Sequence, residues 1–135
     1  MKHLIIQKNG EIKPMSDTAE KVKKYAAAWN EADTTHRDAL LAACWADNGI
    51  YVDPNVEILG RENLSRHIAK VQRGRPGARL EFMSGIETHH NVLRFLWRLV
   101  HADATFGDTS IDVGEIGPDG RLIKMIGFFG PPPSL

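Results

Sequence analysis

The sequence predicts an α+β domain in which three amphipathic helices pack on one face of a strongly curved antiparallel sheet. Two observations carry this. Apolar residues recur at helical spacing through the first half of the chain, and alternating, β-branched and aromatic runs fill the second half. A third observation bounds the domain: 135 residues suffice for one hydrophobic core without disulfides or a structural metal. Residues 17–130 are read as that single domain, residues 1–16 as an N-terminal extension and residues 131–135 as a tail.

Leu4 to Lys13 alternates loosely around Asn9-Gly10, a type I′ turn signal, so this segment is either a small hairpin or a loose extension. Asp17 with Glu20 resembles a capping box. Val22, Tyr25, Ala26 and Trp29 then follow at helical spacing, which predicts a first helix from Asp17 to about Ala32. Thr35 and Asp38, a second box-like pair, open a second helix with Leu41, Cys44 and Trp45 on one side, ending near Asn48-Gly49. Ile50-Tyr51-Val52-Asp53 reads as a strand stopped by Pro54, which lacks an N–H and drives the preceding residue into an extended conformation.

Gly60-Arg61-Glu62 opens a third helix. Leu64, His67, Ile68 and Val71 share one of its faces, and Arg66, Lys70 and Arg73 share another, either a hold for an anionic tail or, by default, a solvated face. Arg73-Gly74-Arg75-Pro76-Gly77 ends it. Strands follow at Arg79–Glu87, Val92–Val100, Thr109–Ile116 and Leu122–Phe129, with Pro118-Asp119-Gly120 as a turn. In the second of these, Leu93, Phe95, Trp97 and Leu99 form an apolar wall. The opposite face mixes Arg94 and Arg98 with Leu96, which suits a subunit interface, so a homodimer is expected.

Seventeen basic and seventeen acidic side chains cancel, which removes the electrostatic reason to expect nucleic acid or an anionic membrane as partner. An apolar small-molecule ligand or substrate fits that balance. Cys44, the one cysteine, lies among apolar helix residues and reads as a small buried hydrophobe; a cytoplasmic setting is favoured. The apolar run near the start is too short for a signal peptide, and no stretch approaches membrane-spanning length.

Tyr25, Asp53 and Asp112 carry the chemistry. Tyr25 falls on the inner stripe of the first helix, Asp53 closes a strand, and Asp112 sits inside an apolar strand. A phenol and two carboxylates in one pocket are the parts for proton transfer beside a carbonyl. Partial desolvation disfavours a charged carboxylate and makes it a better proton acceptor. The plainer alternatives are that Asp53 caps its turn and that Asp112 faces outward to Arg98 or Lys124. Trp29, Trp45, Tyr51, Phe82, Phe95, Trp97 and Phe129 supply aromatic surface, part of it pocket lining and part core.

His89 and His90 are adjacent on a strand, so they point to opposite faces and cannot chelate a metal together. By register with Leu93, Phe95 and Trp97, His89 is the one expected to line the pocket. His67 is a further polar group there, either a proton carrier or a core histidine. No metal site is expected, and proton transfer of this kind needs no cofactor.

The order of elements resembles the nuclear-transport-factor-2-like superfamily, whose curved sheet and three helices form a cone around a pocket; ketosteroid isomerase and the SnoaL-like polyketide cyclases belong to it. The likeness covers Asp17 to Gly130. Tyr25-Ala26-Ala27-Ala28-Trp29-Asn30 is similar to the isomerase helix bearing the oxyanion-hole tyrosine. Asp53-Pro54 is similar to the Asp-Pro of its catalytic base, and Asp112 falls on the strand position of its protonated aspartic acid. The resemblance therefore implies Asp53 as base, with Tyr25 and Asp112 donating to an enolate oxygen. The longer link between the first two helices and the His89-His90 segment depart from the isomerase. Together with Gly127-Phe128-Phe129-Gly130, they look more like a SnoaL-like branch, with isomerase or aldol-type cyclase chemistry. Asp-Pro marks this fold more strongly than one reaction. The remaining alternative is a non-catalytic binding or accessory protein for an apolar metabolite.

Overall fold

A computed structural model describes residues 17–135, together with the backbone of two short strands before them. Those strands, β1 (Leu4–Ile6) and β2 (Ile12–Pro14), pair antiparallel with Ile5 opposite Lys13. The Asn9-Gly10 turn expected between them lies outside the described residues.

Helix α1 (Asp17–Asn30) buries Val22, Tyr25, Ala26 and Ala28, the inner stripe its spacing predicts. It stops two residues before the expected Ala32. Helix α2 (Thr34–Cys44) is capped by Asp33, whose carboxylate accepts from the His36 N–H at 2.9 Å, not by the Thr35–Asp38 pair. Asp38 instead accepts from Ser65 Oγ at 2.5 Å and so joins α2 to the third helix.

Helix α2 also ends earlier than expected. Trp45 adopts φ −119° and ψ 126° while its N–H still closes on the Leu41 carbonyl, so the chain turns directly into strand β3 (Trp45–Asp53). The reason is burial: leaving the helix at Trp45 lets the fully buried indole stack on Tyr25, with ring centroids 5.5 Å apart. Such a pair contributes about 0.5–1.5 kcal/mol beyond its area burial. Gly49 makes room for it. A Cβ there would lie 2.5 Å from Trp45 Nε1. Gly49→Ala is expected to destabilise the fold by about 1–3 kcal/mol, the usual effect of overpacking against a rigid neighbour. Urea unfolding monitored by tryptophan fluorescence measures it, and an unchanged midpoint would show that the indole can yield.

Strand β4 (Val56–Leu59) returns from β3 across the Pro54-Asn55 turn, and helix α3 (Arg61–Gly74) follows. Then come β5 (Arg79–Phe82), β6 (Glu87–His89), β7 (Val92–Val100), β8 (Ser110–Ile116) and β9 (Leu122–Phe128). The one strand expected over Arg79–Glu87 is two, both on the same edge of β7. Between them Ser84 Oγ takes the place of a backbone partner, accepting from the Leu96 N–H at 2.8 Å.

The seven-stranded sheet runs β4-β3-β9-β8-β7-β5, with β6 beside β7. It is mixed and not wholly antiparallel, because β3 and β9 pair parallel. This pairing brings the end of β3, which carries Asp53, beside β9 and one strand away from Asp112 on β8. Asp112 is opposite Gly127, and Val52 is opposite Ile126. The helices cover one face of the sheet, and the core between the layers includes Leu41, Leu64, Ile68, Phe95, Leu122 and Met125.

Buried Arg37 ties the helices together. Its Nε donates to Ser65 Oγ at 3.2 Å and its Nη1 to the Glu31 carbonyl at 2.9 Å. Gln72 Nε2 donates to the Trp29 and Glu31 carbonyls, each at 2.9 Å, so the ends of α1 and α3 are held in fixed relation. Asn30 completes the frame. Its side chain accepts from the Leu80 N–H at 2.7 Å and donates to the Leu80 carbonyl at 3.0 Å, clamping α1 to β5.

Candidate functional site

These clamps hold open a cavity of about 300 Å³ between α1, the second half of α3 and the inner face of the sheet. That volume is at the small end of ligand pockets. Tyr25 reaches it from α1, Asp53 from the end of β3 and Asp112 from β8. Trp29, Tyr51, His67, Trp97 and Phe129 also line it.

Three residues expected at the pocket are placed elsewhere. Phe82 and Phe95 pack on each other at 5.3 Å within the core and do not line the cavity. His89 is exposed at the sheet edge, opposite Val92, with its Nδ1 3.0 Å from that of His90. The break at Ser84-Gly85 makes β6 a separate three-residue strand, far along β7 from Trp97, so alternation with Leu93 and Trp97 does not bring His89 into the cavity. Trp45 stacks beneath Tyr25 without lining the cavity.

Asp112 is 4% exposed and does not face Arg98 or Lys124; Trp97 Nε1 donates to its Oδ1 at 2.9 Å. Arg98 is taken by Glu81 at 2.8 Å. Burial pushes the Asp112 carboxyl up to about 7; the Trp97 hydrogen bond lowers it and the Asp53 charge raises it. Near neutral pH Asp112 therefore exists substantially as the acid, able to donate.

Asp53 is held from both sides. Tyr51 donates its hydroxyl to Oδ2 at 2.7 Å, while Oδ1 accepts the N–H groups of Asn55 at 2.8 Å and Val56 at 3.2 Å. The turn-capping role is thus real, and Asp53 lines the cavity as well. Burial is the main cause that raises the Tyr51 hydroxyl pKa, followed by its hydrogen bond to Asp53. Tyr51 stays protonated and keeps donating.

Tyr25 is fully enclosed by protein. Burial raises its pKa well above the ordinary phenol range, and the Asp112 charge adds to this. The Trp29 N–H acts in the opposite direction from close by, but completes no hydrogen bond. His67 lies edge-on to Trp29 at 5.9 Å and tilted over Tyr51 at 5.8 Å. Burial lowers its pKa, the Asp53 charge opposes that, and the Lys70 charge adds to it, so the imidazole is neutral at pH 7. Cys44 is buried and free, its thiol pushed up to about 12 mainly by burial.

Sequence reasoning missed the polar rim. Asn30, Asn55, Gln72, Lys70, Arg75 and Arg79 also border the cavity. Lys70, expected on the basic face with Arg66 and Arg73, shares the cavity side of α3 with His67 and Gly74, an i, i+3, i+7 spacing legible in the sequence. Among the described residues no group of His, Cys, Asp and Glu is placed to hold a metal ion, and no helix is long and apolar enough to cross a membrane.

No protein-family model and no curated protein sequence matches the chain. Solved structures do. A SnoaL-like family protein from Agrobacterium tumefaciens, described as a candidate isomerase, superposes with a TM-score of 0.81 at 31% identity, over 87% of this chain and 100% of that one. A candidate SnoaL-like polyketide cyclase from Jannaschia sp. gives 0.67 at 14% identity, covering 83% and 84%. A SnoaL-like protein of unknown function from Burkholderia thailandensis gives 0.65 at 18%, covering 87% and 98%. The two more distant likenesses speak for the fold alone, whereas the identity and full coverage of the Agrobacterium protein establish the relationship: the chain belongs to the SnoaL-like family of the nuclear-transport-factor-2-like fold.

Proposed function

We propose that this protein moves a proton beside the carbonyl of a small, mostly apolar compound, as an isomerase or an aldol-type cyclase. Asp53 is the base, and Tyr25 and Asp112 donate to the enolate oxygen. One observation carries the reading: a phenol and two carboxyl groups border the same cavity, and one of the carboxyls has its pKa raised to about 7. A protonated acid and a phenol are both donors at neutral pH, which is what a developing oxyanion requires. The other carboxylate is left to accept the proton. The candidate-isomerase description of the Agrobacterium relative agrees with this chemistry.

The cavity volume of about 300 Å³ favours a substrate of one or two rings over a steroid. The test is conversion of a β,γ-unsaturated cyclohexenone to its conjugated isomer, followed by enone absorbance. Turnover above the buffer rate is expected, and Tyr25→Phe should lower it about 10- to 100-fold, because Asp112 remains as a second donor. Wild-type turnover indistinguishable from buffer would remove the proposal for this substrate class. Turnover indifferent to Tyr25→Phe would remove the role of Tyr25.

A second reading draws on Asp53 itself. With both oxygens engaged by Tyr51, Asn55 and Val56, Asp53 can serve as structure in a pocket that binds an apolar metabolite without turnover. In either reading the working form is a cytoplasmic homodimer. The buried free thiol of Cys44 and the exposed Leu96, Val113 and Phe128 on the outer side of the sheet support that assignment.

A further inference from the structure

The cavity has a charge gradient that proton transfer does not require. Its inner wall is aromatic and carboxylic. Its rim, by contrast, is basic, with Lys70 on α3 and Arg75 at the cap just beyond the helix end bordering the opening. The Gln72–Trp29 hydrogen bond holds this end of α3 against α1.

These side chains are also unspent. Among the described residues, Arg61, Arg94, Arg98 and Arg121 each hold a carboxylate at 2.6–2.8 Å, and Arg37 is consumed by its buried network. Neither Lys70 nor Arg75 forms a side-chain ion pair or hydrogen bond there. Arg79 differs from them: it alternates onto the outer face of β5 with Glu81, and its charge acts on that carboxylate, which Arg98 also holds. Asp53 and Asp112, the carboxyl groups bordering the cavity, are engaged by Tyr51 and Trp97. The Lys70 charge is felt at His67, inside the cavity. In a chain with no net charge, two unpartnered cations at one opening form a local positive field.

We propose that the Lys70–Arg75 rim is an anion subsite, and that the natural substrate is a one- or two-ring carbonyl compound carrying a carboxylate, which the rim holds while its carbonyl faces Tyr25 and Asp112. The inference rests on the proton-transfer reading for the inner end of the cavity and adds the substrate class. The rim orients the ligand: with its anion at the mouth, the opposite end must point inward, so one carbonyl is presented to the donors. A guanidinium and an ammonium together suit a carboxylate, the guanidinium by paired N–H donors and the ammonium as a point charge.

Isothermal titration calorimetry with two probes tests this. One is β-naphthol, whose hydroxyl stands in for the enol; the other is the same naphthol bearing a carboxylate on its far ring. The carboxylate probe is expected to bind about tenfold more tightly at low salt, the sum of two partly exposed ion pairs. That ratio should shrink toward one at several hundred millimolar salt and in the Lys70→Gln/Arg75→Gln variant, whose changes lie at exposed positions. Equal binding of the two probes, a ratio that survives the double variant, or no binding of the carboxylate probe would each overturn the anion subsite. Tyr25→Phe separates the two proposals. If it weakens both probes, the inner donor site holds. If it affects neither while the carboxylate ratio persists, the subsite stands and the proton-transfer reading falls.

Discussion

On the proton-transfer proposal, Asp53→Asn is expected to lower the rate of β,γ-unsaturated ketone isomerisation by about 10²- to 10⁴-fold, the contribution of a positioned general base. The substitution isolates basicity from shape. An asparagine side chain can still accept the Asn55 and Val56 N–H groups through its carbonyl oxygen, and its amide replaces the oxygen that now accepts from Tyr51 at 2.7 Å. The turn at Pro54-Asn55 should therefore persist. The loss should appear in kcat, with KM little changed, since proton abstraction is made only in the transition state. Unfolding by urea provides the control. A variant that is as stable as wild type and equally active would show that Asp53 is only a turn cap, and would move the base role to another group bordering the cavity, His67 first. An inactive variant that has also lost stability would show that the turn does not survive the change, and the more conservative Asp53→Glu would then decide.

Asp112→Asn is expected to stabilise the protein above pH 7 and to leave it little changed near pH 4. The sign follows from linkage. The Asp112 carboxyl titrates near 7 in the folded protein against an ordinary value of 3.8, so between those pH values the folded state holds a proton that the unfolded state has released. Stability falls as pH rises through that window and levels off above it. That difference corresponds to at most about 4 kcal/mol. Asparagine removes the titration while its amide nitrogen can still donate into the cavity and its oxygen can still accept from Trp97. Thermal unfolding of both proteins from pH 4 to pH 8 measures the gap, which should widen with pH. Equal pH dependence in the two proteins would place the proton elsewhere. On the proton-transfer proposal the same titration sets the activity profile: wild-type turnover should decline as pH rises through 7, where Asp112 ceases to be a donor, and the variant should lack that limb.

Both expectations depend on where three side chains from α1, β3 and β8 meet, and local sequence speaks to each side chain separately. The inner stripe of α1 was legible because Val22, Tyr25 and Ala26 repeat at helical spacing. The end of β3 was legible because Pro54 has no N–H to give. The turn at Pro118-Asp119-Gly120 and the bounds of β7 were legible for the same kind of reason, since local backbone preference and burial agree there. The end of α2 was not. Cys44 and Trp45 continue the apolar side of the helix, and only the stacking of Trp45 on Tyr25 makes departure from the helix the better solution. The division of β5 from β6 was equally hidden, because Ser84 satisfies the Leu96 N–H with a side chain and alternation cannot register such a substitution.

By itself, then, the sequence determined the α+β order of elements, the apolar faces, the strand-terminal position of Asp53 and the family likeness carried by Tyr25, Asp53 and Asp112. These follow from preferences acting over a few residues, or from motifs read directly. The tertiary structure alone decided that β3 lies parallel to β9, that Asp112 turns inward to Trp97, that Phe95 is core while His89 is surface, and that Lys70 and Arg75 border the mouth of the cavity. Each of these depends on how one element packs against another. Helix period and strand alternation determine which way a side chain leaves its own element, and what it meets there depends on how the layers are brought together.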